Sequence, residues 1–173
     1  MIRKATINDL DDIEIIYNKV LDQEEEGKAS IGWTRGVYPT RQTAKDALKR
    51  DDLFVYEEDK HILATAIINK YQLDIYKKGD WHVETSDDYV MVLHTLVVSP
   101  NATGKGIGRR FVAYYEQYAK EQGCKDLRMD TQAKNQAARH LYHQLGYEEV
   151  SIVSCPFFNG IEGIQLVLLE KAI

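Results

Sequence analysis

Leu93-His94-Thr95-Leu96-Val97-Val98-Ser99-Pro100-Asn101-Ala102-Thr103-Gly104-Lys105-Gly106-Ile107-Gly108-Arg109-Arg110 decides how this chain is read. An apolar strand runs into a glycine-rich, cationic turn, and the turn opens an amphipathic helix. Backbone N–H groups at a helix start, with the positive end of the helix dipole behind them, form an anion site. Glycines let the backbone approach phosphate oxygens closely and adopt positive φ. Lys105, Arg109 and Arg110 add positive charge beside the turn. The segment therefore reads as a phosphate-binding turn.

Spacing narrows the ligand. A dinucleotide fingerprint takes glycine at its first, third and sixth positions. Counted from Gly104 the sixth is Arg109, and counted from Gly106 it is Phe111, so both fail. A nucleotide P-loop takes Gly-Lys followed by Ser or Thr, whereas Gly104-Lys105 is followed by Gly106. What is left is a Gly-x-Gly-x-Gly turn after a strand, a pattern that ordinary turns also show.

A second segment adds to it. Asn135-Gln136-Ala137-Ala138-Arg139-His140-Leu141-Tyr142-His143-Gln144-Leu145-Gly146-Tyr147 follows the strand Leu127-Arg128-Met129-Asp130-Thr131. Together the two segments closely resemble the GNAT family of N-acetyltransferases. The family's turn pattern, Arg/Gln-x-x-Gly-x-Gly/Ala, is matched from Thr103 through Gly106 and Gly108, with Thr103 standing where the pattern has Arg or Gln. The later pattern, Asn-x-x-Ala-x-x-Leu-Tyr-x-x-Leu-Gly-Tyr/Phe, is matched in full from Asn135 to Tyr147.

The resemblance implies that acetyl-CoA binds where two neighbouring parallel strands splay apart, here residues 89–98 and 127–130. It assigns the pantetheine arm to the backbone of Leu96, Val97 and Val98, with one of the Leu96 and Val98 amides polarising the thioester carbonyl. The pyrophosphate falls to the amides of Thr103, Gly104, Lys105, Gly106, Ile107, Gly108 and Arg109. Asn135 matches the residue that contacts the CoA arm, and Asn is also a preferred helix cap. Tyr142 matches the general acid that protonates the leaving thiolate. It also shares helical spacing with Ala138, Leu141 and Leu145, as a plain core residue would.

His94 is the first candidate for the base that takes the acceptor's proton, since imidazole titrates near neutrality. Alternation places it on one strand face with Val92 and Leu96. The string Leu93-His94-Thr95-Leu96 is similar to that of the serotonin N-acetyltransferases, which carry a catalytic histidine there. Glu84, in the loop before the strand, is the alternative base. Trp33, Tyr38, Tyr71, Trp81 and Tyr89 are candidates for an acceptor pocket, or for lids over the core.

Composition sets the frame. At 173 residues without a long linker, the chain reads as one domain, 1–173, with apolar content enough for a core. No apolar run approaches membrane-spanning length, and the first residues lack a signal-like apolar region. A formal charge of −5 disfavours a nucleic-acid partner, which calls for a basic face. Cys124 and Cys155 show no metal-ligand spacing, so no metal is expected and both read as unpaired thiols in a reducing cytoplasm.

Along the chain, residues 2–5 form a short strand, and Thr6 and Asp9 start a helix with Leu10, Ile13, Ile16, Tyr17 and Val20 on one stripe. Thr40 caps a second helix. Residues 53–57 and 62–68 form a hairpin, and residues 70–88 a loop whose length points to function. Strands at 147–153 and 164–169 flank a loop over residues 155–160. Interleaved strands and helices give an α/β fold: a mixed, mostly antiparallel sheet with helices on both faces and splayed central strands.

The expected function is transfer of acetyl from acetyl-CoA to a primary amine by direct attack in a ternary complex. A catalytically silent acyl-CoA sensor or regulatory module is the alternative. Small amines, polyamines, amino acids, aminoglycosides and protein or peptide amines all suit the chemistry. A monomer and a homodimer are both compatible with the sequence.

Overall fold

Thr6 opens the first helical segment as its position suggests. Its backbone N–H and hydroxyl donate to the Asp9 carboxylate at 2.7 and 3.0 Å. Arg3, on β1 (Ile2–Lys4), donates to the same carboxylate and holds it below its ordinary pKa. A 3-10 turn, Ile7–Asp9, leads into α1 (Leu10–Glu25), which buries the predicted stripe of Leu10, Ile13, Ile16, Tyr17 and Val20. Thr40 caps α2 (Arg41–Lys49) by accepting from the Thr43 N–H at 3.4 Å. β2 (Leu53–Glu58) and β3 (His61–Asn69) form the expected hairpin. Asp59 and Lys60 close it with φ of 50° and 65°, the twist a two-residue connection requires.

The computed structural model describes residues 1–158 and 160–173, and the chain divides into two units. The first comprises Met1–Ala29, Trp33–Ile68 and His94–Tyr114; the second comprises Ser30–Gly32, Asn69–Leu93 and Tyr115–Ile173. β4 (Val90–Val98) gives its beginning to the second unit and its end to the first. α3 (Ile107–Glu121) is likewise shared.

In the first unit the strand order is β1-β2-β3-β4. In the second it is β4-β5-β7-β6, with β5 (Asp126–Gln132), β6 (Glu148–Phe158) and β7 (Ile161–Ala172). β4 and β5 run parallel, in register from Val90↔Asp126 to Leu93↔Met129. β5 with β7 and β6 with β7 are antiparallel. Counting α4 (Gln136–Gln144), the described residues hold seven strands and four α-helices, the mixed, mostly antiparallel α/β fold that was expected.

Each unit has its own core. In the first, Phe54 packs on Tyr114 with ring centroids 5.8 Å apart. In the second, Tyr76, Val90, Val92, Leu166 and Leu168 cluster under Leu73 and Trp81. The buried Tyr115 hydroxyl reaches the carbonyls of Met91 (2.7 Å) and Arg128 (3.1 Å), tying β4 to β5 where they run in register.

Two expectations need correction. The loop at 155–160 is shorter than read, because β6 runs on to Phe158 and β7 starts at Ile161; Asn159 lies outside the described residues. Pro156 suggested a loop, yet β6 ends the strand order, and an edge strand tolerates a residue without an N–H. The second correction falls on β4. Thr95 has φ 51°, so the alternation from Val92 through His94 to Leu96 is interrupted between the last two. A 3-10 turn, Pro100–Ala102, also intervenes before the glycine turn.

Candidate active site

The glycine turn lies in the first unit. Ala102 N–H donates to the Ser99 carbonyl at 2.8 Å and Lys105 N–H to the Ala102 carbonyl at 3.4 Å, which folds the chain back on itself. The bond from Arg110 N–H to the Gly106 carbonyl, at 3.1 Å, starts the α3 ladder. The amides of Ile107 and Gly108 precede it, at the end where helix donors have no intrahelical acceptor. Gly104 and Gly106 take φ of 82° and 71°, and a Cβ built on either would meet nothing within 4 Å. Ala102 and Ile107 are buried and anchor the turn from below. The backbone at these two glycines is therefore open to its surroundings, as the approach of an anionic pyrophosphate requires. Lys105 and Arg109 are exposed on the turn, whereas Arg110 donates to the Tyr56 hydroxyl at 2.8 Å and so also ties α3 to β2.

The end of β4 approaches this turn through Leu96 and Val98, both half-buried, with Val97 buried between them. His94 is half-buried and immediately precedes Thr95. A β-branched residue at positive φ is strained, by about 1–3 kcal/mol, and persists only where neighbours hold it. Here the Tyr38 hydroxyl bonds the Thr95 hydroxyl, and Trp33 packs edge-on against Tyr38 at 5.9 Å. Strain of this kind gathers at functional positions.

The second unit carries the other candidates. Tyr142 is only 7 % exposed and meets Tyr147 edge-on at 6.0 Å. Burial first, and the charge of Asp130 second, push its phenol well above the ordinary value. Asp130 accepts from the Tyr76 hydroxyl at 2.7 Å, and burial pushes its carboxyl up to about 6. The Asn135 side chain accepts from the Ala138 N–H at 3.2 Å, so its capping role is realised, and Gly146 stops the helical segment at φ 85°. Glu84 is exposed on the loop before β4.

The first unit thus brings Tyr38, with Trp33 against it, to Thr95 on the strand that carries His94. The second brings Tyr142, Asp130 and Tyr76 into one cluster. Asp130 and Tyr76 were missed in the sequence, where the only signal was the alternation of Asp126, Arg128 and Asp130 on β5. A carboxyl near 6 has the chemistry of a base poised close to neutrality. Of the predicted aromatics, Tyr71 and Tyr89 are exposed, while Trp81 packs on Tyr76 at 5.3 Å and on the Arg128 guanidinium at 4.1 Å.

Cys124 and Cys155 are free and buried. Among the described residues no group of three His, Cys, Asp or Glu side chains is placed to hold a metal ion. No helix among them is long and apolar enough to cross a membrane.

Residues 15–147 match the model of the Acetyltransferase (GNAT) family, and the chain belongs to that family. An uncharacterized N-acetyltransferase of Bacillus subtilis (strain 168), YhfO, is 42% identical over 60 residues, covering 35% of this chain and 40% of that protein. Another, MJ1207 of Methanocaldococcus jannaschii, is 26% identical over 158 residues, covering 88% of this chain and 62% of that one. The chain thus spans less than two thirds of either curated relative. A GNAT-family acetyltransferase from Streptococcus agalactiae 2603 superposes with a TM-score of 0.80 at 23% identity, covering 100% of this chain and 95% of that one. The Salmonella typhimurium protein yncA, solved with its cofactor acetyl-CoA, gives a TM-score of 0.71 at 18% identity, over 99% and 92% of the two chains. These two likenesses are of fold.

Proposed function

We propose that this chain, as one GNAT domain spanning residues 1–173, transfers acetyl from acetyl-CoA to a primary amine by direct attack in a ternary complex. The observation that carries this is the glycine turn: two residues at positive φ, open space where their side chains would stand, and the start of α3 directly after them. Family membership supplies the ligand that such a surface takes.

Each residue then has a task. The turn amides from Thr103 to Arg109 hold the pyrophosphate, and Asn135 adds a contact to the CoA arm. The Leu96 and Val98 amides hold the pantetheine, one of them stabilising the oxyanion that forms when the amine attacks. The Tyr142 phenol stays protonated because burial and Asp130 both oppose its ionisation, so it enters the reaction as a donor to the leaving sulfur. His94 takes the proton of an acceptor that arrives as an ammonium ion, with Glu84 as the alternative. The two buried free thiols suit a reducing cytoplasm. Neither is the nucleophile of a ping-pong route; burial pushes the Cys124 thiol up and away from the reactive thiolate.

Thiol release from acetyl-CoA, followed against polyamines, amino acids, aminoglycosides and peptide amines, tests this reading. Acceptor-dependent release with intersecting double-reciprocal plots supports the ternary complex. Parallel plots, or no release with any amine, overturn it.

The role of His94 has its own test. His94→Gln keeps a hydrogen-bonding side chain but cannot act as a base. With saturating acetyl-CoA, its rate is expected to fall most at neutral pH and to recover in part at alkaline pH, where more free amine is present. A variant that keeps the wild-type rate and acidic limb makes His94 structural and assigns the proton to Glu84 or bulk water instead.

A further inference from the structure

Three buried charges on the second unit have no part in the chemistry above. Asp126, Arg128 and Glu170 are 0 %, 7 % and 4 % exposed. Strand geometry assembles them: Asp126 and Arg128 share a face of β5, and Glu170 on β7 lies directly across from Arg128. Arg128 donates to the Asp126 carboxylate at 2.7 Å and lies 3.8 Å from Glu170.

The same three residues grip the loop that precedes β4. Arg128 donates to the Gln72 side chain at 2.8 Å and to the Val83 carbonyl at 3.4 Å, beneath the Trp81 ring. Glu170 accepts from the backbone N–H of His82 at 2.8 Å and of Val83 at 3.1 Å. Glu84, the next residue, is the alternative base.

The charges do not balance. One guanidinium faces two buried carboxylates, and the Asp126 Oδ1 atom is buried without a hydrogen-bond partner. Asp126 and Glu170 lie within hydrogen-bonding reach of each other. A carboxylate oxygen can only accept, so a proton held between the two satisfies an oxygen that no N–H or O–H of the protein reaches. His82 lies 3.4 Å from Glu148 and 3.8 Å from Glu170 through Nδ1, and Tyr115 on α3 also feels the Asp126 charge. His82 is exposed, so solvent screens its interaction with both carboxylates.

We propose that Asp126, Arg128 and Glu170 form a proton-holding clasp that positions the loop carrying Glu84, with one proton held between the two carboxylates. When that proton leaves, the carboxylates repel each other, and Glu170 loses its hold on the His82 and Val83 amides. Burial and the neighbouring Glu170 push the Asp126 carboxyl up to about 6, from the ordinary 3.8. A carboxyl raised in the closed state favours closure at low pH, and that advantage is lost as pH rises through about 6. The clasp rests on the proposed function only where Glu84's role is concerned, and its test needs no activity.

Amide exchange at His82 and Val83, corrected for intrinsic rates, reads the clasp directly. If opening returns Asp126 to its ordinary value, protection should fall about tenfold between about pH 5 and about pH 7.5. Asp126→Asn supplies a permanent donor toward Glu170, so its protection should be the same at both pH values. Carbon-13 titration of the aspartate carboxyls in the wild-type protein, with Asp126 assigned by its loss in the variant, should show a group titrating near 6. Equal wild-type protection at both pH values, or Asp126 titrating in the ordinary carboxylate range, overturns the clasp while leaving the acetyltransfer reading intact.

Discussion

Tyr142→Phe is expected to lower kcat on the order of a hundredfold or more, with acetyl-CoA affinity unchanged. The substitution keeps the ring, so the edge-on contact with Tyr147 and the burial of the side chain survive. Only the phenol proton is lost. Two influences hold that proton in place in the wild-type protein: the desolvation of the ring and the negative charge of Asp130. Both would also disfavour a thiolate formed nearby, raising its demand for a donor as charge builds on sulfur. The hydroxyl therefore matters in the transition state more than in the ground state, which is why kcat falls and binding does not. A melting temperature close to wild type, measured alongside the kinetics, separates catalysis from packing. Unchanged turnover with an active acceptor would reduce Tyr142 to the core residue its helical spacing also allows.

Much of this was legible because local signals and tertiary context agree. Thr6 and Thr40 sit where helices begin, Gly146 where one ends, and the α1 stripe buries the residues its spacing selects. The glycine turn was legible for the same reason: positive φ at Gly104 and Gly106 has a residue-level signature.

Thr95 carries none. A threonine in a strand of apolar residues gives no sign of φ 51°, since the conformation is held by Tyr38, a residue 57 positions away in sequence. Pro156 misled in the opposite sense, because tolerance of proline depends on whether a strand lies at an edge, which a single sequence does not state. The second unit's cluster was hidden for a third reason. Alternation along Asp126, Arg128 and Asp130 marks a polar strand face, but not that a loop folds over it. Once covered by Gln72, Tyr76 and Trp81, those charges acquire the shifted carboxyls and shared partners that make them chemically distinctive. Sequence shows the residues, and burial decides their chemistry.

Gly106→Asp should abolish most of the affinity for acetyl-CoA, by about a hundredfold or more, in a protein that still folds. The fold tolerates the change because a Cβ at this position meets no protein atom within 4 Å. The backbone cost of placing a non-glycine residue at φ 71° is about 1–2 kcal/mol, and aspartate is among the residues that bear it best. Binding has no such tolerance. A carboxylate over the turn fills the space a pyrophosphate would take, and like charges about 4 Å apart near a protein surface repel by about 4 kcal/mol. Rotation of the side chain away from the ligand recovers part of that, which leaves a loss of about two orders of magnitude. Gly106→Ala is the control: it carries a backbone cost at least as large and a Cβ but no charge, so it should lose less affinity. Calorimetric titration of both variants with acetyl-CoA distinguishes the outcomes. Equal affinities for the Asp and Ala variants would mean that no phosphate approaches Gly106, and the cradle would have to be moved elsewhere on the chain.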